Sequence, residues 1–89
     1  MPSVIIPPPY RGPTQGQSEV AVSARTVREC LQAVESRYPG FGELVFAADG
    51  GLPRYVKLFL NGEVLDPGDL DRGVSDGDAV EVLAAIGGG

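Results

Sequence analysis

Histidine and tryptophan are absent from this 89-residue chain, and cysteine occurs once, at Cys30. Without an imidazole to activate a thiol, a Cys–His nucleophile is excluded. One cysteine and no histidine cannot assemble a zinc set, and no intramolecular disulfide can form. Cations are also few: 7 Lys and Arg stand against 12 Asp and Glu, a net charge of −5. They do not cluster, so the electrostatic footprint of a nucleic-acid binder is missing. An acidic surface suits a basic protein partner, or simply solubility. No segment approaches the ~18 apolar residues of a membrane helix. The opening Met1-Pro2-Ser3-Val4-Ile5-Ile6-Pro7-Pro8-Pro9 has neither the basic start nor the apolar run of a secretory signal. The expected location is therefore cytoplasmic. The length allows one domain. A domain this small buries only about 60% of the surface its unfolded chain exposes, which argues against a deep internal active site.

Two further site types fail on spacing. Asp66, Asp69, Asp71, Asp76 and Asp78 form an acidic stretch, but a calcium loop needs tighter oxygen spacing and a closing Glu. These residues read as turn and capping residues. Asp49-Gly50-Gly51 lacks the lysine and the spacing of a phosphate loop and reads as a turn. Cys30 lies beside Leu31 near an apolar helix face and reads as a buried, inert thiol.

What the chain does contain is a regular alternation of short elements. Ser3–Ile6 is a β-type run, halted by three prolines that cannot donate to a ladder. Ser18–Val22 alternates polar with small or apolar residues, so the two runs and the Pro/Gly loop between them predict a hairpin. Thr26 can cap a helix, with Glu29 three residues on completing a capping box. Val27, Leu31, Val34 and Tyr38 then share one helical face, and Pro39-Gly40 ends it. The stretch from Phe41 to Asp49 is expected to be irregular or a short helical turn. Tyr55–Leu60 is the clearest strand, with Val56, Leu58 and Leu60 on one face and Tyr55, Lys57 and Phe59 on the other. Asn61-Gly62 is a strong hairpin signal because both residues tolerate positive φ, and Glu63–Leu65 is a short return strand. Asp76-Gly77-Asp78 makes a last turn before a final strand, Ala79–Leu83. A sheet with a single helix on one side is a two-layer α+β domain. Its expected core is Val4, Ile6, Val20, Val22, Val27, Leu31, Val34, Val56, Leu58, Leu60, Val80 and Val82. Ile5, Phe59 and Leu83 then face outward, a plausible partner-docking surface.

The unusual feature is the ending, Ala84-Ala85-Ile86-Gly87-Gly88-Gly89. Glycine lacks Cβ, so such a tail is expected to be flexible and slim. Ile86 to Gly89 extended reaches roughly 12–14 Å, enough to enter a narrow channel of another protein without a side-chain clash at the terminal carbon. On composition alone a frayed terminus is the commoner explanation.

The order of elements and three motifs change that balance. Val56-Lys57-Leu58-Phe59-Leu60-Asn61-Gly62, Asp76-Gly77-Asp78-Ala79-Val80 and the Gly88-Gly89 ending resemble the MoaD/ThiS family of ubiquitin-like sulfur carriers over nearly the whole chain. Within that family the Pro/Arg/Thr/Gly/Gln-rich hairpin tip, Arg11 to Gln17, is similar to that of the CysO-type carriers of actinobacterial cysteine biosynthesis. Two departures stand out. Ala84-Ala85 replaces a frequent proline after the last strand, and Gly87 replaces the usual alanine. Both make for a less rigid tail and bear on partner choice.

The resemblance implies a β-grasp (ubiquitin-like) fold, a mixed sheet packed on one main helix. Residues 1–85 would form the domain and 86–89 the tail. It implies a carrier, not an enzyme. The Gly89 carboxylate, with Gly88 beside it and Ile86 and Gly87 presenting it, would be adenylated and converted to a thiocarboxylate. No cofactor would be bound, since ATP and magnesium would belong to an adenylating enzyme of the MoaD/ThiS/ubiquitin-activating type. A cysteine-synthase-like, thiazole-synthase-like or molybdopterin-synthase-like enzyme would accept the sulfur, and a metalloprotease releasing the product is a further partner the resemblance allows. Neither nucleic acid nor membrane is an expected partner. Two alternatives share the same architecture: a protein modifier joined through Gly89 to lysines, and a β-grasp interaction domain with an idle tail.

Overall fold

The computed structural model describes residues 1–84. Five strands and two helices follow in the order β1 (Ser3–Ile5), β2 (Glu19–Ala21), α1 (Val27–Arg37), α2 (Phe41–Val45), β3 (Val56–Leu60), β4 (Glu63–Leu65) and β5 (Ala79–Ala84). Short 3-10 turns occupy Pro8–Tyr10 and Pro67–Asp69. The strands form one sheet in the order β2-β1-β5-β3-β4. β1 runs parallel to β5, and every other pairing is antiparallel. The last strand in sequence is thus the central strand in space. A mixed sheet covered by one main helix is the β-grasp arrangement. No helix among the described residues is long and apolar enough to cross a membrane.

The inward face follows from strand alternation. Val4, Val20, Val56, Leu58, Leu60, Val80 and Val82 are buried against Val27, Cys30, Leu31 and Val34 of α1. Each such aliphatic side chain contributes roughly 1.5–3 kcal/mol on full burial. All twelve core residues expected from patterning are buried. Six others join them: Tyr10, Cys30, Phe41, Val45, Leu65 and Leu70. Phe41 and Val45 come from α2, which closes one end of the core. Its first turn is held by Glu35, whose Oε1 accepts from the backbone N–H of Gly40 (3.1 Å) and Gly42 (2.8 Å).

Helix α1 begins as the sequence suggests, with one difference. Thr26 Oγ1 accepts from the Glu29 backbone N–H at 3.1 Å. The Glu29 carboxylate, however, accepts from the N–H of Arg25 at 3.0 Å, one residue before the cap. The remaining free donors of the first turn go to a distant loop: Val27 N–H to the Arg72 carbonyl (3.0 Å) and Arg28 N–H to that of Leu70 (2.7 Å). The loop after β4 therefore satisfies groups that a helix cannot satisfy itself.

Two turns fix the position of β5. Asn61 (φ 51°) and Gly62 (φ 88°) both take positive φ in the β3–β4 hairpin, as a two-residue primed turn requires. Asn61 also reaches across to the turn before β5. Its amide donates to Asp78 Oδ1 (3.0 Å), its Oδ1 accepts from Ala79 N–H (2.9 Å), and its own N–H donates to the Ala79 carbonyl (2.9 Å). The second oxygen of Asp78 accepts from Ser75 N–H at 2.8 Å. These bonds clamp Ala79 in register with the end of β3.

Candidate functional site

From that clamp, β5 runs between β1 and β3 to the opposite end of the sheet. Its pairing with β1 stops at Ile5↔Glu81, because the chain then enters Pro7-Pro8-Pro9, where no N–H can continue the ladder. Its pairing with β3 continues to Val56↔Ala84. Among the described residues, Val82–Ala84 of the central strand therefore have a ladder partner on one side only. Residues 85–89 come next, so Ile86, Gly87, Gly88, Gly89 and the expected boundary between domain and tail lie outside the described residues.

The outward face beside this exit is set by register. One row across the sheet reads Glu19, Ile5, Glu81, Phe59, Val64. The next places Leu83 opposite Lys57. The three residues expected to face outward do so: Ile5 and Phe59 are half-buried and Leu83 is exposed. They are not contiguous, however. Glu81 pairs with Ile5 on one side and Phe59 on the other, and Leu83 lies two residues further along the same strand and face. Ile5, Phe59 and Leu83 thus frame a carboxylate.

Two members of this face escaped the sequence reading although signals existed. Alternation with buried Val80 and Val82 sends Glu81 outward. The two-residue Asn61-Gly62 turn pairs Phe59 with Val64, a side chain left 64% exposed. Tyr55, just before β3, is 48% exposed.

The other candidates resolve as structural. Cys30 is fully buried, and burial first, then the charges of Glu29 and Asp78, push its thiol up to about 11. It stays protonated and unreactive at neutral pH. In the acidic stretch, Asp66 and Asp69 form a capping box around Pro67–Asp69. Asp71 pairs with Arg28 at 3.0 Å, and Asp76 faces the Met1 amino group at 2.9 Å. Asp78 is held below the usual carboxylate range by the Ser75 N–H and then by the Asn61 amide. Among the described residues no cluster of His, Cys, Asp and Glu could hold a metal ion. Asp49 Oδ1 accepts from Gly51 N–H at 2.9 Å, a turn contact.

The sequence matches the ThiS family over residues 5–89. The chain belongs to the ThiS family. It is 34% identical to the sulfur carrier protein CysO of Mycobacterium tuberculosis, over 98% of this chain and 97% of that one. Two solved structures agree with this family membership. A chain of a BexX/CysO complex from Amycolatopsis orientalis superposes with a TM-score of 0.90 at 32% identity, covering 100% of both chains. M. tuberculosis CysO, described as an antigen, gives a TM-score of 0.88 at 31% identity, covering 97% of this chain and 100% of that one. Within the family this chain is CysO-like, with the ubiquitin-like β-grasp sheet described above.

Proposed function

We propose that this chain is a sulfur carrier whose reagent is the carboxylate of Gly89. The observation that carries the reading is its likeness to a CysO sulfur carrier over 98% of its length, together with a family match that runs through residue 89. The topology supports it physically. The central strand, held on both sides at its start, is the last element of the domain before the glycines in sequence, so the domain serves as a handle for them.

The chemistry follows from the poor reactivity of a carboxylate as an acyl donor. An adenylating enzyme joins Gly89 to the AMP portion of ATP and releases pyrophosphate; magnesium and ATP belong to that enzyme. A sulfur donor then attacks the acyl carbon, AMP leaves, and a thiocarboxylate remains. Its sulfur is a better nucleophile than the oxygen it replaces and stays tethered for a sulfur-accepting enzyme. The likeness to CysO favours a cysteine-synthase-like acceptor. Ile86 and Gly87 carry the reacting end, and Gly88 lets the backbone pass a narrow channel. Ile5, Phe59 and Leu83 dock the partner, and the Amycolatopsis complex supports the idea that a CysO-like fold assembles with a second protein.

The test is ATP–pyrophosphate exchange by the adenylating enzyme of the same organism, with the wild-type chain and with a variant carrying one residue added after Gly89. Exchange with the first and none with the second is the expected result. Equal exchange would remove Gly89 from the account.

A further inference from the structure

Asn61 is the chain's one asparagine, and a glycine follows it. That pair carries a latent reaction. The glycine nitrogen attacks the side-chain amide carbon, ammonia leaves, and a cyclic imide forms. Water then opens the ring at either carbonyl, giving aspartate or isoaspartate. In sum, water is consumed and ammonia released, with no oxidant or cofactor. Glycine favours the attack because no Cβ crowds its nitrogen. Both residues are exposed, and nothing lies within 4 Å of a Cβ built on Gly62. Crowding at the turn therefore offers no protection.

Protection comes from across the sheet. Both polar atoms of the Asn61 side chain are held by the turn that leads into β5. Nδ2 donates to Asp78 Oδ1 at 3.0 Å, and Oδ1 accepts from Ala79 N–H at 2.9 Å. The amide carbon lies between the two held atoms, so it cannot swing onto the Gly62 nitrogen until the bonds break. The bond to Asp78 ends on a carboxylate and belongs to the stronger class. The product cannot restore it. Aspartate has no N–H to give, and it sets a carboxylate where the amide stood, 3.0 Å from Asp78 Oδ1. At neutral pH both acids are ionised, and like charges at that distance repel. Asp78 cannot turn away without losing its bond from Ser75 N–H at 2.8 Å. Isoaspartate adds a backbone carbon to a turn whose geometry sets the hairpin register.

We propose that Asn61-Gly62 is a guarded deamidation site: the bonds to Asp78 and Ala79 withhold the amide from Gly62, and conversion, once it occurs, opens the clamp irreversibly. Loosening of the entry to β5 then leaves a one-way chemical mark on the chain. This inference stands apart from the carrier reading. Gln15-Gly16, whose glutamine is exposed and also has positive φ (56°), is an internal reference. Its longer side chain must close a larger and slower-forming ring.

The experiment incubates the full chain at neutral pH, native and in urea, and follows amide-to-acid conversion by intact mass and peptide fragmentation. Asp78→Ala, Asp78→Asn and Val34→Ala are run alongside, with circular dichroism to confirm folding. Conversion is expected at Asn61 before any glutamine. It should be about tenfold or more faster in urea than in the native chain, and about tenfold faster in folded Asp78→Ala, which loses a hydrogen bond to a charged group. Asp78→Asn keeps an acceptor oxygen and should fall between. Val34→Ala, which loosens the core elsewhere, should leave the native rate nearly unchanged. Equal rates in native and unfolded wild type would overturn the guard, whether or not any variant folds. So would a folded Asp78→Ala no faster than wild type, or a Val34→Ala accelerated as much. Asn61→Asp tests the product: its urea midpoint should fall, and deuterium exchange at the Ala79 amide should quicken about tenfold. A midpoint and exchange rate equal to wild type would overturn the opening of the clamp.

Discussion

The two ends of β5 are built in different ways. At Ala79 the strand is entered through a lattice of hydrogen bonds from Asn61, Ser75 and Asp78, with β1 and β3 both in register. At Ala84 only β3 remains beside it among the described residues, and the neighbouring surface carries exposed Tyr55, Leu83 and Lys57. The entry end is held on both sides, and the exit end is held on one among the described residues. Asn61-Gly62 and Asp76-Gly77-Asp78, which belong to the motifs that carry the family resemblance, lie at the entry end of this strand. They set the register in which the strand begins.

The sharpest way to break this comparison is at the exit. Deleting Gly88 and Gly89 is expected to lower adenylation by about a hundredfold or more, since the positioned reacting group is gone, while the urea unfolding midpoint stays unchanged. Phe59→Asp should come next. Placing a second carboxylate opposite Glu81 costs roughly 0.2–1 kcal/mol of stability, yet removing an apolar anchor should raise the KM for the adenylating enzyme about tenfold or more. Unchanged kinetics in a folded variant would detach the outer face from function.

At the entry end the pattern reverses. Asn61→Ala loses side-chain hydrogen bonds and forces alanine into positive φ, so stability should fall by about 1–3 kcal/mol in urea titration, with affinity for the enzyme nearly constant. A smaller effect comes from Cys30. Its folded value near 11 lies above the ordinary value of 9, so the native state holds the proton longer than the unfolded chain does. Stability should therefore be full below about pH 9 and decline as pH rises toward about 11. Cys30→Ala should flatten that decline in unfolding curves collected across the range.

Much of this architecture was legible because it depends on local periodicity. Val56, Leu58 and Leu60 alternate, Val27, Leu31 and Val34 repeat at helical spacing, and Asn61-Gly62 demands a primed turn; each element follows from its own few residues. What escaped depends on residues distant in sequence. Leu70 and Arg72 cap α1 only because the fold brings their carbonyls to Val27 and Arg28. Phe41 and Val45 enter the core through a short helix whose start is held by Glu35. The outer face was half legible: alternation sends Ile5, Phe59 and Leu83 outward, but the placement of Glu81 between Ile5 and Phe59 needs the parallel β1–β5 register. The tail stands out by composition, and the role proposed for it rests on the family resemblance alone.

The most direct measurement is the intact mass of the purified chain after incubation with its adenylating enzyme, ATP, magnesium and a sulfide source, followed by fragmentation. The account predicts one oxygen replaced by sulfur, located at Gly89. An unaltered mass under conditions where the enzyme turns over, or sulfur located at Cys30 instead, would contradict it.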